Sequence, residues 1–158
     1  MAAKPIPEGY HSITPYMTVR NAARAIEFYT QAFGAVEKDV SKGPDGKIMH
    51  AELIIGDSIF MLADEFPEFN SLSPQSTGGS GMGLHIYTED VDSAFDRAVK
   101  AGATVEMPVG DMFWGDRYGK LADPFGHKWS IATRKRDMTP AEIDEAMHEF
   151  MKQMPKSA

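Results

Sequence analysis

The chain of 158 residues contains no cysteine. That absence excludes disulfides, thiolate metal sites and Cys nucleophiles together, and it suits a reducing compartment. No apolar run approaches the roughly 18 residues of a membrane span. The opening MAAKPIPEGY has two Pro and no apolar core of signal-peptide type, so a cytoplasmic protein is expected. Positive charge is also scarce: 16 Lys and Arg stand against 23 Asp and Glu, a net charge of -7. Such a field repels phosphate backbones, and the single short patch Arg134-Lys135-Arg136 does not reverse it. Neither nucleic acid nor a membrane is therefore expected as a partner.

Apolar residues make up 42% of the chain, enough for one domain with a real core and too short a chain for two ordinary ones. Residues 1–158 are read as one domain, but that domain repeats itself. In the first copy SITPYMTV (Ser12 to Val19) leads to Asn21, AARAIEFYTQAF, Gly34-Ala35 and VEKDV. In the second, GLHIYT leads to Asp90, VDSAFDRAVKA, Gly102-Ala103 and TVEMPV. Each copy reads strand, Asn or Asp cap, helix, Gly stop, strand, and the offset from cap to cap is about 69 residues.

One apolar stripe marks each helix: Ala22, Ala25, Ile26, Tyr29 and Phe33, then Val91, Ala94, Phe95, Ala98 and Val99. Each should lie against a sheet. Turn signals at Gly43-Pro44-Asp45-Gly46 and Gly56-Asp57, and again at Trp114-Gly115-Asp116 and Asp123-Pro124-Phe125-Gly126, divide the chain after each helix into three strands. The fold class is α+β, two βαβββ modules at about 10–65 and 82–134. Residues 70–81, rich in Ser, Pro and Gly, read as a linker. Their GGSGMG lacks the Gly two places after Ser80 that a nucleophile elbow needs. A last helix over 139–154 opens on the capping box Thr139-Pro140-Ala141-Glu142, and its apolar face is expected to cover the sheet or, preferably, a partner subunit.

Paired βαβββ units with AIEFYTQAFGA, DVDSAFDRAVKAGA and DPFGHKWSI resemble the glyoxalase/bleomycin-resistance/dioxygenase group, the vicinal oxygen chelate superfamily. MHAELIIGDSIFMLADE and DMFWGDRYGKLADPFGH resemble its PhnB-like branch. The resemblance implies the fold of glyoxalase, bleomycin-resistance protein and dihydroxybiphenyl dioxygenase: a cup of curved mixed sheets, helices outside and ligand inside. It also implies a homodimer, with modules paired within a chain or exchanged between two. Many members hold a divalent metal through four side chains. Here the matching places are Thr14, Gly83, Ser130 and one of Phe60, Met61 and Leu62, so the resemblance does not carry the metal over. His85, His50 and Glu52 are the residues from which a site of Zn or Fe type could be rebuilt, or which could act as general acid and base.

Alternation sorts the strands. Ile13, Pro15, Met17 and Val19 should pack under the helices with Leu84, Ile86, Trp129 and Ile131, leaving Ser12, Thr14, Tyr16, Gly83, His85, Tyr87 and Ser130 to face the cup. The turn Asp123-Pro124-Phe125-Gly126 makes Trp129 a core residue. Trp114, Arg117 and Tyr118 are expected at the mouth of the cup, as ligand contacts rather than dimer contacts or packing. Arg117 could grip a ligand anion, or pair with Asp111 or Asp116. Two functional readings result: a metal-free binder of a small organic molecule, contacted by Tyr16, His85, Tyr87, Trp114, Arg117, Tyr118 and Ser130, or a glyoxalase-like lyase, isomerase or dioxygenase relative using His85, His50 and Glu52. A scaffold with a vestigial cup is the third.

Overall fold

A computed structural model describes residues 3–155; the expected domain ends at 1 and 158 lie outside them. Module one comprises β1 (Tyr16–Val19), α1 (Ala22–Phe33), β2 (Val36–Lys42), β3 (Ile48–Ile55) and β4 (Ser58–Asp64). After a 3₁₀ turn at Pro67–Phe69 and a short α2 (Pro74–Thr77), module two repeats the order in β5 (Gly83–Tyr87), α3 (Val91–Ala101), β6 (Thr104–Asp111), β7 (Asp116–Ala122) and β8 (Lys128–Arg134). Each module forms its own four-stranded mixed sheet, in the orders β1-β4-β3-β2 and β5-β8-β7-β6. The first and last strands of each module run parallel, and the other neighbours are antiparallel. Helix α4 (Pro140–Gln153) comes last.

The repeat survives at atomic detail. Asn21 and Asp90 each cap the following helix by accepting from the third backbone N–H on, and Asn21 does so from a left-handed backbone at φ 61°. The first N–H of each helix finds a side chain at the end of the parallel strand: Ala22 N donates to Asp64 Oδ1 at 2.7 Å, and Val91 N to Thr133 Oγ1 at 2.8 Å. Both donors and both acceptors are related by the same step of 69 residues. These contacts satisfy donors that every helix start leaves open.

The helix stripes lie nearly where the periodicity places them. Ala22, Ala25, Tyr29 and Phe33 are buried as expected, but so are Phe28 and Ala32, because α1 also packs on α3 and so needs a wider apolar face than a sheet alone requires. Val99, expected in the second stripe, is 37% exposed. The first strand is shorter than the alternation suggests. It begins at Tyr16, and Ile13, expected in the core, is 87% exposed. Pro15 has no N–H to give a ladder, although its carbonyl still accepts from Met61 N at 2.8 Å.

The connection between modules is held down by one carboxylate. Glu65 accepts from Arg20 Nε, Ser73 N and Ser76 Oγ at 2.7 to 2.9 Å. Those bonds hold its carboxyl down at about 2, the Ser76 hydroxyl foremost. Helix α4 buries none of its residues; Phe150 meets Phe113 at 5.2 Å between ring centroids.

The two modules share a core around Asp123. Its Oδ1 accepts from Phe125 N and His127 N at 2.9 Å, closing the turn before β8. Its Oδ2 accepts from Trp129 Nε1 at 2.8 Å and from Tyr29 Oη, on the other module's helix, at 2.7 Å. Tyr29 then packs on Phe28, Phe33, Phe60, Phe125 and Trp129. Burial, with the Asp123 charge second, pushes the Tyr29 phenol well above its ordinary range. Replacing Asp123 by Ala strands two buried side-chain donors, Tyr29 Oη and Trp129 Nε1, at about 1–3 kcal/mol each, besides freeing the backbone donors of its own turn. Asp123→Ala should lose about 2–6 kcal/mol in urea unfolding and Asp123→Asn clearly less; equal, small losses would show that the carboxylate is not the tie.

Candidate functional site

The helices cover one face of each sheet and leave the other open. On module one that face presents Tyr16, His50, Glu52 and Met61; on module two it presents His85, Tyr87, Tyr118 and Ser130. The strand registers of the two modules correspond. Tyr16 pairs with Met61 as His85 pairs with Ser130, again a step of 69 residues. His50 precedes Ala51, which faces Leu62, as Tyr118 precedes Gly119, which faces Ile131. Each module therefore puts one Tyr and one His side by side, with the residue types exchanged. The ring centroids lie 5.6 Å apart for Tyr16 and His50 and 5.8 Å for His85 and Tyr118.

On module two the pair belongs to an aromatic wall. His85 Nδ1 lies 2.7 Å from Ser130 Oγ, and its ring meets Tyr87 edge to face at 4.6 Å. Trp114 stands edge to face on Tyr118 at 5.4 Å. Asp116, almost fully buried, ties the wall together: its Oδ2 accepts from both Tyr87 Oη and Trp114 Nε1 at 3.1 Å. Burial lowers the His85 pKa, against a weaker upward pull from Asp116, so the neutral imidazole is favoured. The bond to Asp116 raises the Tyr87 phenol. Trp114 is half-buried and hydrogen-bonded, so it props the wall as well as presenting a surface. The loop holding it turns at Gly115, where φ is 99° and an added Cβ would lie 2.5 Å from the Arg136 carbonyl oxygen.

Module one carries a hydrogen-bonded line instead. Tyr16 Oη lies 3.0 Å from His50 Nδ1, His50 Nε2 lies 3.3 Å from Glu52 Oε1, and Lys38 Nζ donates to Glu52 Oε2 at 2.5 Å and to Tyr10 Oη at 3.0 Å. Lys38 before all else holds the Glu52 carboxyl down at about 2. Glu52 in turn raises the Lys38 ammonium, which stays charged.

A cleft of about 510 Å³ runs along the seam between modules. The segment Gly9 to Pro15, the β3–β4 turn from Ile55 to Phe60, the edge strand β5 and Trp129 enclose it. Of the sequence-predicted contacts, His85 and Tyr87 line this cleft; Tyr16, Trp114, Arg117, Tyr118 and Ser130 do not. Arg117 points away from the wall. Thr133, its partner in the ladder, faces the start of α3, and Arg117 accordingly grips Asp92 of that helix in two bonds of 2.7 and 2.8 Å, with Asp111 at 3.2 Å. Asp111 is among the partners anticipated; Asp92, the stronger one, is not. Sequence reading also misses the Ile55–Phe60 turn as a cleft wall, although its Gly56-Asp57 signal is visible, and the roles of Asp116, Lys38 and Tyr10.

The residues at the superfamily's metal positions do not fit a metal. Gly83 has no side chain, Ser130 is engaged with His85, Phe60 and Leu62 are buried, and Thr14 lines the cleft with a hydroxyl. His50 and Glu52 adjoin on β3, whereas His85 stands on the other sheet, and among the described residues no three His, Asp or Glu gather as a metal would require.

The sequence profile of the glyoxalase/bleomycin resistance protein/dioxygenase superfamily matches residues 10–131, and the chain belongs to that superfamily. It is 45% identical over 139 residues to Mb0911c of Mycobacterium bovis, covering 86% of this chain and 91% of that one. The solved structure of the Arabidopsis thaliana At5g48480 product superimposes with a TM-score of 0.64 at 29% identity, over 78% of this chain and 98% of that one. The PhnB protein from Bacillus cereus, 22% identical over 78% and 99%, shares the fold with a TM-score of 0.62. The βαβββ repeat and the family expected from sequence are thus both present. Among the described residues no helix is long and apolar enough to cross a membrane.

The Glu52 line has a pH signature. An acid whose folded pKa is depressed stabilises the fold above its unfolded pKa and loses that contribution as pH falls through the folded value. For Glu52 the window runs from about 4.5 down to about 2. In urea titrations at stepped pH, the stability advantage of the wild type over Glu52→Gln should be constant above that window and shrink within it; a difference that persists undiminished to its lower end would contradict the ion pair.

Proposed function

We propose that this chain is a binding protein for a small, neutral, flat organic molecule, held at the module seam without a metal ion. One observation carries the reading: His85 and Tyr87 belong at once to the 510 Å³ cleft and to the aromatic wall. That volume is within the range of small-molecule sites, and the remaining lining is mainly apolar, with Ile13, Ile55, Leu84, Ile86 and Trp129. Ring faces and a neutral imidazole favour an unsaturated ligand with one or two hydrogen-bonding groups. Selection of an anion is not supported, because the two nearby acids occupy Arg117. The residues at the family metal positions support the metal-free reading.

The test is protein-observed NMR with 2-naphthol and coumarin as probes. Resonances of His85 and Tyr87 should shift first and saturate, and Tyr87→Ala should weaken the response about tenfold while keeping the fold in urea unfolding, since the residue is 63% exposed and Trp114 Nε1 still donates to Asp116 Oδ2. Shifts absent, or mapping to another face, would remove the assignment.

The same reading pairs two copies of the chain. Phe150 and Met151 on α4 are 48% and 62% exposed, apolar area of a kind that association removes from water. Light scattering at micromolar concentration should give twice the chain mass; the single-chain mass would contradict pairing.

A further inference from the structure

The line of residues on module one lies outside the cleft and has a fixed direction. Glu52 is ionised and can only accept, so the proton between it and His50 must sit on His50 Nε2. In the neutral ring Nδ1 is then a bare lone pair, and the atom facing it at 3.0 Å is the Tyr16 hydroxyl. The order is carboxylate, imidazole, hydroxyl: a base turned towards a hydroxyl and oriented from behind by an acid, the arrangement that activates weak nucleophiles in general. Lys38 completes it by holding the carboxylate charged, and Lys38, itself bonded to Glu52 and Tyr10, is no competing amine nucleophile. Tyr16 is half exposed on the open face, whereas Glu52 keeps only 14% of its side chain accessible.

We propose that Tyr16 is a nucleophile activated by His50 and Glu52, a covalent site for electrophiles of the activated acyl class. The step balances without any co-reactant. As Tyr16 Oη bonds to the acyl carbon, the hydroxyl proton passes to His50 Nδ1. The bond from the acyl carbon to its leaving oxygen breaks, and that oxygen takes the proton from the imidazolium, leaving acyl-Tyr16 and the free alcohol or phenol. This inference goes beyond the binding site at the seam and is independent of it, because none of its three residues lines that cleft's wall at His85 and Tyr87.

The molecule contains its own control. Tyr87 is at least as exposed, but its hydroxyl is given to the carboxylate of Asp116 and faces no imidazole nitrogen. The probe is 4-nitrophenyl acetate, with nitrophenolate release followed by absorbance and acetylated peptides by mass spectrometry. Tyr16 should be acetylated about tenfold or more faster than Tyr87. His50→Gln should bring Tyr16 down to the rate of Tyr87, Glu52→Gln should slow it several-fold, and Tyr16→Phe should abolish the fast nitrophenolate phase. Tyr16→Phe removes one hydroxyl and its single bond to His50 from a half-exposed residue, so its thermal midpoint should stay close to the wild type and its result stands whatever the other variants do. Equal rates at Tyr16 and Tyr87 would overturn the proposal. So would a fast phase that persists in Tyr16→Phe, which would make the imidazole itself the acceptor.

Discussion

The Asp123 carboxylate is the constraint on which the arrangement of the two modules depends. A βαβββ module by itself has a single helix over a four-stranded sheet and ends in exposed strand edges, a poor basis for independent stability. Asp123 accepts two backbone donors from its own turn and two side-chain donors, one from each module. The turn, the core Trp129 and the foreign helix α1 are thereby set against a single group. His127 Nε2, two residues before Trp129, donates to the Thr18 carbonyl at 3.0 Å, and Arg97 Nε donates to the Ala32 carbonyl at 3.0 Å. These bonds satisfy groups that the meeting of the modules would otherwise bury unpaired. The seam cleft exists because the modules meet through helices and this aromatic core, while β1 and β5 remain edges of separate sheets.

Within that frame the duplication is conservative in backbone and free in chemistry. The step of 69 residues relates helix starts, the side chains that cap them, and the strand positions of both open faces. Equivalent positions of the two sheets also stay small: Ala51 in one module and Gly119 in the other, where the α3 side chain Phe95 packs so closely that an added Cβ would lie 2.6 Å from its ring. Facing solvent, nothing forces such likeness. Tyr and His occupy equivalent places in exchanged order, and their neighbours then set their roles. Burial favours the neutral form of His85 in an aromatic wall, whereas Glu52 stands behind His50 at 3.3 Å and fixes which way that ring presents its nitrogens.

This division explains what the sequence discloses. Periodicity, caps and turns are local, so the modules, the helix stripes, the DPFG turn and the core place of Trp129 can all be read from neighbours in the chain. The first strand is overextended in that reading because alternation in SITPYMTV does not reveal that Pro15 lacks a ladder donor at an edge. The linker composition is plain, but its attachment to Glu65 depends on Arg20, brought in from the end of β1. Arg117 is placed near acids correctly. That Asp92, on α3, would take it could not come from a pattern, because the pairing depends on which face of β7 carries position 117 after the irregular register of β6. The links from Tyr16 to His50 and from Tyr87 to Asp116 join residues 34 and 29 apart, and only the sheet order makes them neighbours.

Loss of metal-binding side chains changes what an open sheet face can do. In this superfamily a hard cation can organise substrate oxygens from the middle of the cup; in the metal-free reading proposed above, charge on the open faces is managed by hydrogen bonds and the Lys38–Glu52 ion pair. The two faces solve that differently. Module two uses the buried carboxylate on its open face, Asp116, to fix Trp114 and Tyr87, and so presents rings and an imidazole that burial favours in its neutral form, which supports the recognition role proposed above. Module one keeps Glu52 ionised through Lys38 and links it through His50 to the hydroxyl of half-exposed Tyr16, the arrangement on which the proposed proton transfer rests. A ligand resting on the first would meet shape and stacking, and one resting on the second would meet a base. The duplicated fold thus leaves each open face free to carry its own set of side chains, as the two proposals require, because the ties that hold the modules together lie on the helix side, away from both open faces.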